Sequence, residues 1–132
     1  MDLKDDNQLP TKNRNYFDSF KYAFIGVRTV FQEERNMRTH VILAILVIGL
    51  CFFLEMSRAD WLWILLAIFL MLVMEIWNTV VENIIDLVTD YRYHPLAKKV
   101  KDMAAAAVLL TAGFSIVSGL IVLLPKVLNL FF

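Results

Sequence analysis

Hydrophobic and polar positions segregate along this chain in long blocks. Charged side chains are absent from Thr39–Leu54 (16 residues), Trp61–Met74 (14 residues) and Met103–Pro125 (23 residues). A hydrocarbon core about 30 Å thick is crossed by roughly 20 helical residues. The third block spans it unaided. The first reaches that length with Arg38 and Glu55 at the interfaces, where long side chains snorkel. The second is short alone, but its helical period continues through Glu75, Asn78, Glu82 and Asp86. The pattern predicts an all-α membrane protein with transmembrane helices over about residues 39–56, 61–88 and 98–124.

Ahead of these, Phe17, Phe20, Phe24, Val27 and Phe31 wind into one stripe at about 100° per residue, edged by Lys21 and Arg28. An aromatic face bordered by cations predicts an amphipathic surface helix over 16–34, lying in the headgroup plane or packed on the bundle by that same face. Residues 1–14 are polar, contain Pro10 and lack an apolar period, so a flexible tail is expected at the start of a single domain, 1–132. The first connection, Glu55 to Asp60, is short, and Trp61 and Trp63 are expected as interfacial anchors. In the second, residues 89–95, Pro95 is expected to stop the preceding helix. Ala104 to Ala107, Ala112, Gly113, Ser115, Ser118 and Gly119 favour close helix approach on the third span.

Composition removes several function classes. With 59% apolar and 20% charged residues in a chain of 132, a soluble bundle is excluded, because so small a protein cannot hide three helices that are apolar all round. Thirteen basic and thirteen acidic side chains balance to zero, so no global field points to nucleic acid. Cys51 is alone, which removes an intrachain disulfide and a thiolate-only metal site. The four glycines (Gly26, Gly49, Gly113 and Gly119) are too scattered for a phosphate-cradling loop. A cleaved signal peptide is not expected, since the first apolar block follows a long polar stretch and precedes no small-residue cleavage site. Seven Lys and Arg precede the first span, one (Arg58) lies in the first connection, four (Arg92, Lys98, Lys99 and Lys101) in the second, and Lys126 alone follows. The positive-inside rule then puts the N-terminus and second loop in the cytoplasm and the C-terminus outside.

The chemistry concentrates on the second span. Glu75, Asn78, Glu82 and Asp86 fall within about 80° of one another around a helix. Glu75 comes 14 residues after Trp61, roughly 21 Å along the axis and therefore in the inner half of the bilayer. Glu82 lies about 10 Å further, near the cytoplasmic surface. Carboxylates at lipid depth are costly and usually functional, and three acids on one face repel unless a proton or metal neutralises them. Two chemistries suit the stripe: a proton relay, or a buried base above acids that hold a divalent cation. Hard oxygen donors without a His or Cys cluster favour Mg²⁺ over zinc, and Mg²⁺ usually accompanies nucleotide phosphates. Lys98, Lys99 and Lys101 supply cations for phosphate on the same side, and Glu34 could complete the carboxylate set. His40 and His94 are isolated and read as local hydrogen-bonding residues.

The run from Glu75 to Asp86 (EIWNTVVENIID) resembles the signature of the small bacterial membrane kinases that act on diacylglycerol or undecaprenol. Lys101–Val108 (KDMAAAAV) and Glu34–Arg38 (ERNMR) are similar to two further segments of that family, and the likeness runs from about Phe17 to Leu124. The resemblance implies a homotrimer of three-span subunits in the bacterial cell membrane, with active sites at subunit boundaries facing the cytoplasm. It implies transfer of the ATP γ-phosphate to a lipid hydroxyl. By position Glu75 would be the catalytic base, Asn78 would position the reacting groups, and Glu34 and Glu82 would bind the divalent cation. Lys101 and Asp102, with Asp86, Tyr22 and His94, would contact the nucleotide. Trp77 stands where the family pattern has an aliphatic residue, Val80 where a small one is usual and Ala105 where diacylglycerol-acting members have Ser, and the 34–38, 89–95 and 101–105 segments look like the Gram-positive branch, which phosphorylates undecaprenol. Undecaprenol is thus the expected acceptor and diacylglycerol the alternative. A proton or ion pathway is disfavoured because the polar stripe stops at Glu75. A membrane adaptor would leave the acids without a purpose.

Overall fold

The computed structural model describes residues 16–131, and the tail expected over 1–14 lies outside them. Four helices follow in order: α1 (Tyr16–Glu33), α2 (Arg35–Phe53), α3 (Arg58–Thr89) and α4 (Pro95–Phe131). The last three are long and apolar enough to cross a membrane. At about 1.5 Å per residue α3 and α4 run to roughly 48 and 55 Å, well beyond a 30 Å hydrocarbon core. Their excess carries the polar groups at the α3–α4 turn.

One stripe organises the packing. Ile64, Ala67, Met71, Glu75 and Thr79 are the buried residues of α3, spaced by three and then four, and they face the flanking helices. The acid stripe predicted from sequence continues this apolar stripe, so Glu75 enters the protein interior because its helix already presents that face to its neighbours. α4 lies along α3, with Ser115 Oγ donating to the Ala67 carbonyl at 3.3 Å. Near the α2–α3 turn, Cys51, Ile64 and Val122 form an apolar cluster that draws in Val47, Met56, Trp61, Ile68 and Leu123. By contrast, the aromatic stripe of α1 does not pack on its own bundle: Phe17, Phe20 and Phe24 are exposed and Val30 is the buried residue of that helix.

The helix ends have identifiable causes. α2 stops at Phe53, short of the expected 56, where Leu54 turns extended (φ −104°, ψ 146°). Ser57 and Asp60 then open α3 with a reciprocal capping box, Ser57 N donating to Asp60 Oδ2 at 2.9 Å and Asp60 N to Ser57 Oγ at 3.2 Å. Ser57→Ala is expected to lower stability by about 1 kcal/mol, the usual cost of a lost N-cap. Unfolding by denaturing detergent, followed by circular dichroism, would measure it.

Pro95 reads differently from the sequence expectation. Pro95 does not stop α3; it is the first residue of α4, where its missing N–H costs nothing and its fixed φ suits a helix start. What ends α3 is left-handed backbone at Asp90 (φ 52°) and Tyr91 (φ 56°), with Tyr91 N donating to the Asp86 carbonyl at 3.0 Å. Asp tolerates that region; a tyrosine there is uncommon and carries strain. Pro125, the last residue of the charge-free third block, sits inside α4, which runs on to Phe131, past the expected end of the span near 124. The following residue explains the continuation: Lys126 Nζ is 2.9 Å from Asp60 Oδ2 and donates to the Glu55 carbonyl at 2.7 Å, tying the turn after the proline to the first loop.

Candidate active site

Glu75 is 1% exposed, and its Oε2 has no hydrogen-bond partner. One turn on, Thr79 Oγ1 donates back to the Glu75 carbonyl at 3.0 Å, keeping a small buried polar group on the same face. Asn78 Nδ2 donates to Glu82 Oε1 at 2.9 Å, while Asn78 Oδ1 is buried and unpartnered. Two oxygens withdrawn from water without partners are expensive in isolation, so each is a candidate for a bond to something outside the chain.

Other elements converge on this carboxylate. Asn36 and His40 of α2 lie beside Glu75, and Glu34 and Glu82 are near enough to act on its charge. Glu34 reaches it through the joint between α1 and α2. Its backbone is extended (φ −98°, ψ 120°) at the N-cap position of α2, yet its side chain makes no capping bond, which leaves the carboxylate free for other partners. Asn36 and His40 were not read from sequence as partners of Glu75, since only the α2–α3 packing brings them there.

A second cluster lies about 16 Å further along α3, eleven residues at 1.5 Å each. Asp86 Oδ1 is 2.6 Å from Lys101 Nζ, joining α3 to α4, and both side chains are partly buried. Lys98 pairs with Asp102 at 2.5 Å on the exposed side of α4. His94 caps α4, its Nδ1 accepting from Leu96 N at 3.2 Å. These residues and Arg92 line a cavity of about 460 Å³. Tyr22 is an exposed side chain of α1 and is not among the residues lining this cavity.

A third feature is apolar. A cavity of about 250 Å³ runs among α2, α3 and α4, from His40 and Met71 past Ala44, Ala67 and Ser115 toward Leu123. Met71 stands one turn before Glu75, so the apolar cavity approaches the buried carboxylate from the opposite side to the charged one.

Among the described residues no group of three or more His, Cys, Asp or Glu side chains converges as a self-sufficient metal cage. Mg²⁺ does not demand one: it is commonly held by one or two carboxylates, with phosphate oxygens and waters completing the octahedron. Glu34 and Glu82 both lie near enough to Glu75 to act on its charge, and with the unpartnered oxygens of Glu75 and Asn78 they are oxygen donors of the kind Mg²⁺ takes.

The sequence model of the prokaryotic diacylglycerol kinases matches residues 21–123. Undecaprenol kinase of Bacillus subtilis is 42% identical over 127 residues, covering 96% of this chain and 99% of the relative. A diacylglycerol kinase of Synechocystis is 37% identical over 116 residues (88% of this chain, 66% of the relative). One of Helicobacter pylori is 37% identical over 108 residues (80% of this chain, 84% of the relative).

Proposed function

The chain belongs to the prokaryotic diacylglycerol kinase family and is a multi-pass membrane lipid kinase; from that premise we propose that it phosphorylates undecaprenol with ATP, giving undecaprenyl phosphate and ADP. The observation that carries the acceptor is the likeness to an undecaprenol kinase across almost the whole of both chains. The names of the other relatives favour diacylglycerol as the second reading. The location of Glu75, buried between an apolar cavity and a charged one, supports a lipid alcohol meeting a water-soluble nucleotide at that point.

In this reading the acceptor hydroxyl lies against Glu75, whose unpartnered oxygen takes the proton as the hydroxyl oxygen bonds to the γ-phosphorus. The bond from that phosphorus to the β–γ bridging oxygen breaks, and ADP leaves with the electron pair. Asn78, anchored on Glu82 through its amide nitrogen, keeps its carbonyl oxygen toward the reacting groups and positions them. Glu34 and Glu82 would hold Mg²⁺, which when bound offsets charge on the phosphate oxygens. Lys101, fixed by Asp86, contacts the nucleotide in the charged cavity together with Asp102 and His94, and Tyr22 of α1 would approach it from outside that cavity. Positioning and charge neutralisation carry most of phosphoryl transfer, so a small protein without a phosphate-binding loop suffices.

We place the N-terminus and the α3–α4 turn in the cytoplasm of a bacterial cell membrane and the C-terminus outside, following the distribution of Lys and Arg. The exposed aromatic stripe of α1 then lies in the headgroup region, and three chains assemble into a trimer with sites at their boundaries. The deciding experiment offers the reconstituted protein undecaprenol, diacylglycerol, ceramide and water in parallel, with γ-labelled ATP and Mg²⁺. Label is expected in undecaprenyl phosphate at least about tenfold faster than in phosphatidic acid, a preference of some 1.4 kcal/mol. Faster labelling of phosphatidic acid would transfer the assignment to diacylglycerol, and label appearing only as inorganic phosphate would remove the lipid kinase reading.

A further inference from the structure

We infer that Arg38 is a positioning residue for the divalent-cation carboxylate, acting through the α1–α2 joint; the inference rests on the reading above that Glu34 is a cation ligand. The joint is a break in an otherwise continuous helix. Glu34 N still donates to the Val30 carbonyl at 2.9 Å, closing α1, and Arg38 N donates to the Glu34 carbonyl at 3.4 Å, opening α2. The extended backbone of Glu34 between them deprives the last carbonyls of α1 of their ordinary donors four residues on. Arg38 supplies the replacement. Its Nη1 donates to the Gln32 carbonyl at 2.6 Å and lies 3.4 Å from the Phe31 carbonyl, so one guanidinium crosses the break and fastens the start of α2 to the end of α1. The positive charge also sits at the negative end of the α1 dipole, and α1 has no basic residue of its own in its last turn.

The consequence for Glu34 is geometric. An N-cap residue with an acidic side chain commonly folds back onto the amides of its own helix. Here the side chain makes no such bond, and its carboxylate lies near enough to Glu75 to act on its charge. That presentation depends on the bend, and the clamp from Arg38 to Gln32 fixes the bend. Without it, the joint can straighten into a continuous helix, where the carboxylate rotates away with the backbone that carries it.

The test uses the full chain in detergent micelles, with Mn²⁺ as the probe and a non-hydrolysable ATP analogue present. Bound Mn²⁺ is counted by electron paramagnetic resonance, and hydrogen exchange is followed over residues 28–40. Arg38→Gln is expected to weaken Mn²⁺ binding about tenfold and to speed exchange at the joint. In turnover it should raise the Mg²⁺ needed for half-maximal rate while leaving KM for undecaprenol within about twofold. Arg38→Lys keeps a charged donor and should recover most of the affinity. Mn²⁺ binding within twofold of the native protein in Arg38→Gln, while Glu34→Gln loses it, would overturn the role of Arg38 and leave the cation reading intact. Native Mn²⁺ affinity in Glu34→Gln would overturn both. Should Arg38→Gln fail to insert, arginine-labelled native protein decides: the Arg38 guanidinium protons are expected to show restrained rotation and slow exchange, and a freely rotating guanidinium would sink the clamp.

Discussion

Glu75→Gln should lower the rate of lipid phosphorylation by about 10³-fold, the middle of the range for loss of a positioned general base. The substitution conserves shape, so the packing between Met71 and Thr79 survives and the side chain still fills its buried site. What disappears is the capacity of an unpartnered carboxylate oxygen to take a proton from the acceptor. KM for ATP should stay within a few-fold, because the nucleotide contacts proposed above lie further along α3 and on α4. Folding should be unharmed or improved, since a buried acid is exchanged for a neutral amide. Single-turnover phosphorylation of undecaprenol in bicelles, with circular dichroism alongside, measures each part. Activity within threefold of the native protein would remove Glu75 from the role of base.

Glu82→Gln is expected to cost on the order of 10²-fold in kcat/KM at millimolar Mg²⁺, the scale at which disturbing a metal's protein environment is felt. Two losses combine in that figure. One of the two carboxylates proposed for the cation becomes neutral, and the acceptor that orients Asn78 at 2.9 Å becomes an amide with a donor of its own. The defect should therefore respond to Mg²⁺: raising it tenfold recovers part of the rate in Glu82→Gln and none in Glu75→Gln. A Mg²⁺ titration of the two variants side by side separates a cation ligand from a base. Identical insensitivity in both would show that Glu82 holds no cation.

Much of this arrangement was legible in the sequence because helical periodicity is a local property. Glu75, Asn78, Glu82 and Asp86 are on one face by arithmetic alone, and that face is the inward one because it prolongs Ile64, Ala67 and Met71. The pairing of Lys98 with Asp102 also follows from a spacing of four. What could not be read is whatever depends on how helices lean together. Asn36 and His40 reach Glu75 only through the packing of α2 on α3, and Lys126 meets Asp60 only because α4 returns to the first loop. Pro95 misled for a different reason. A proline is equally at home at the first position of a helix and just beyond its end. At Pro95 the preceding left-handed pair, Asp90 and Tyr91, makes the choice, and neither residue type announces that conformation strongly. The joint at Glu34 is likewise invisible locally, since no Gly or Pro marks it; the fork of Arg38 onto carbonyls six and seven residues back stabilises it.

The separation of the buried carboxylate from the charged turn along a single rigid helix has a kinetic corollary. The two substrates are counted on different scales: nucleotide by molarity in the surrounding water, alcohol by mole fraction among neighbouring lipids. Diluting a vesicle suspension with buffer of unchanged nucleotide content leaves the acceptor scale untouched. Diluting the bilayer with inert phospholipid at constant total volume starves the acceptor side while the nucleotide side stays saturated.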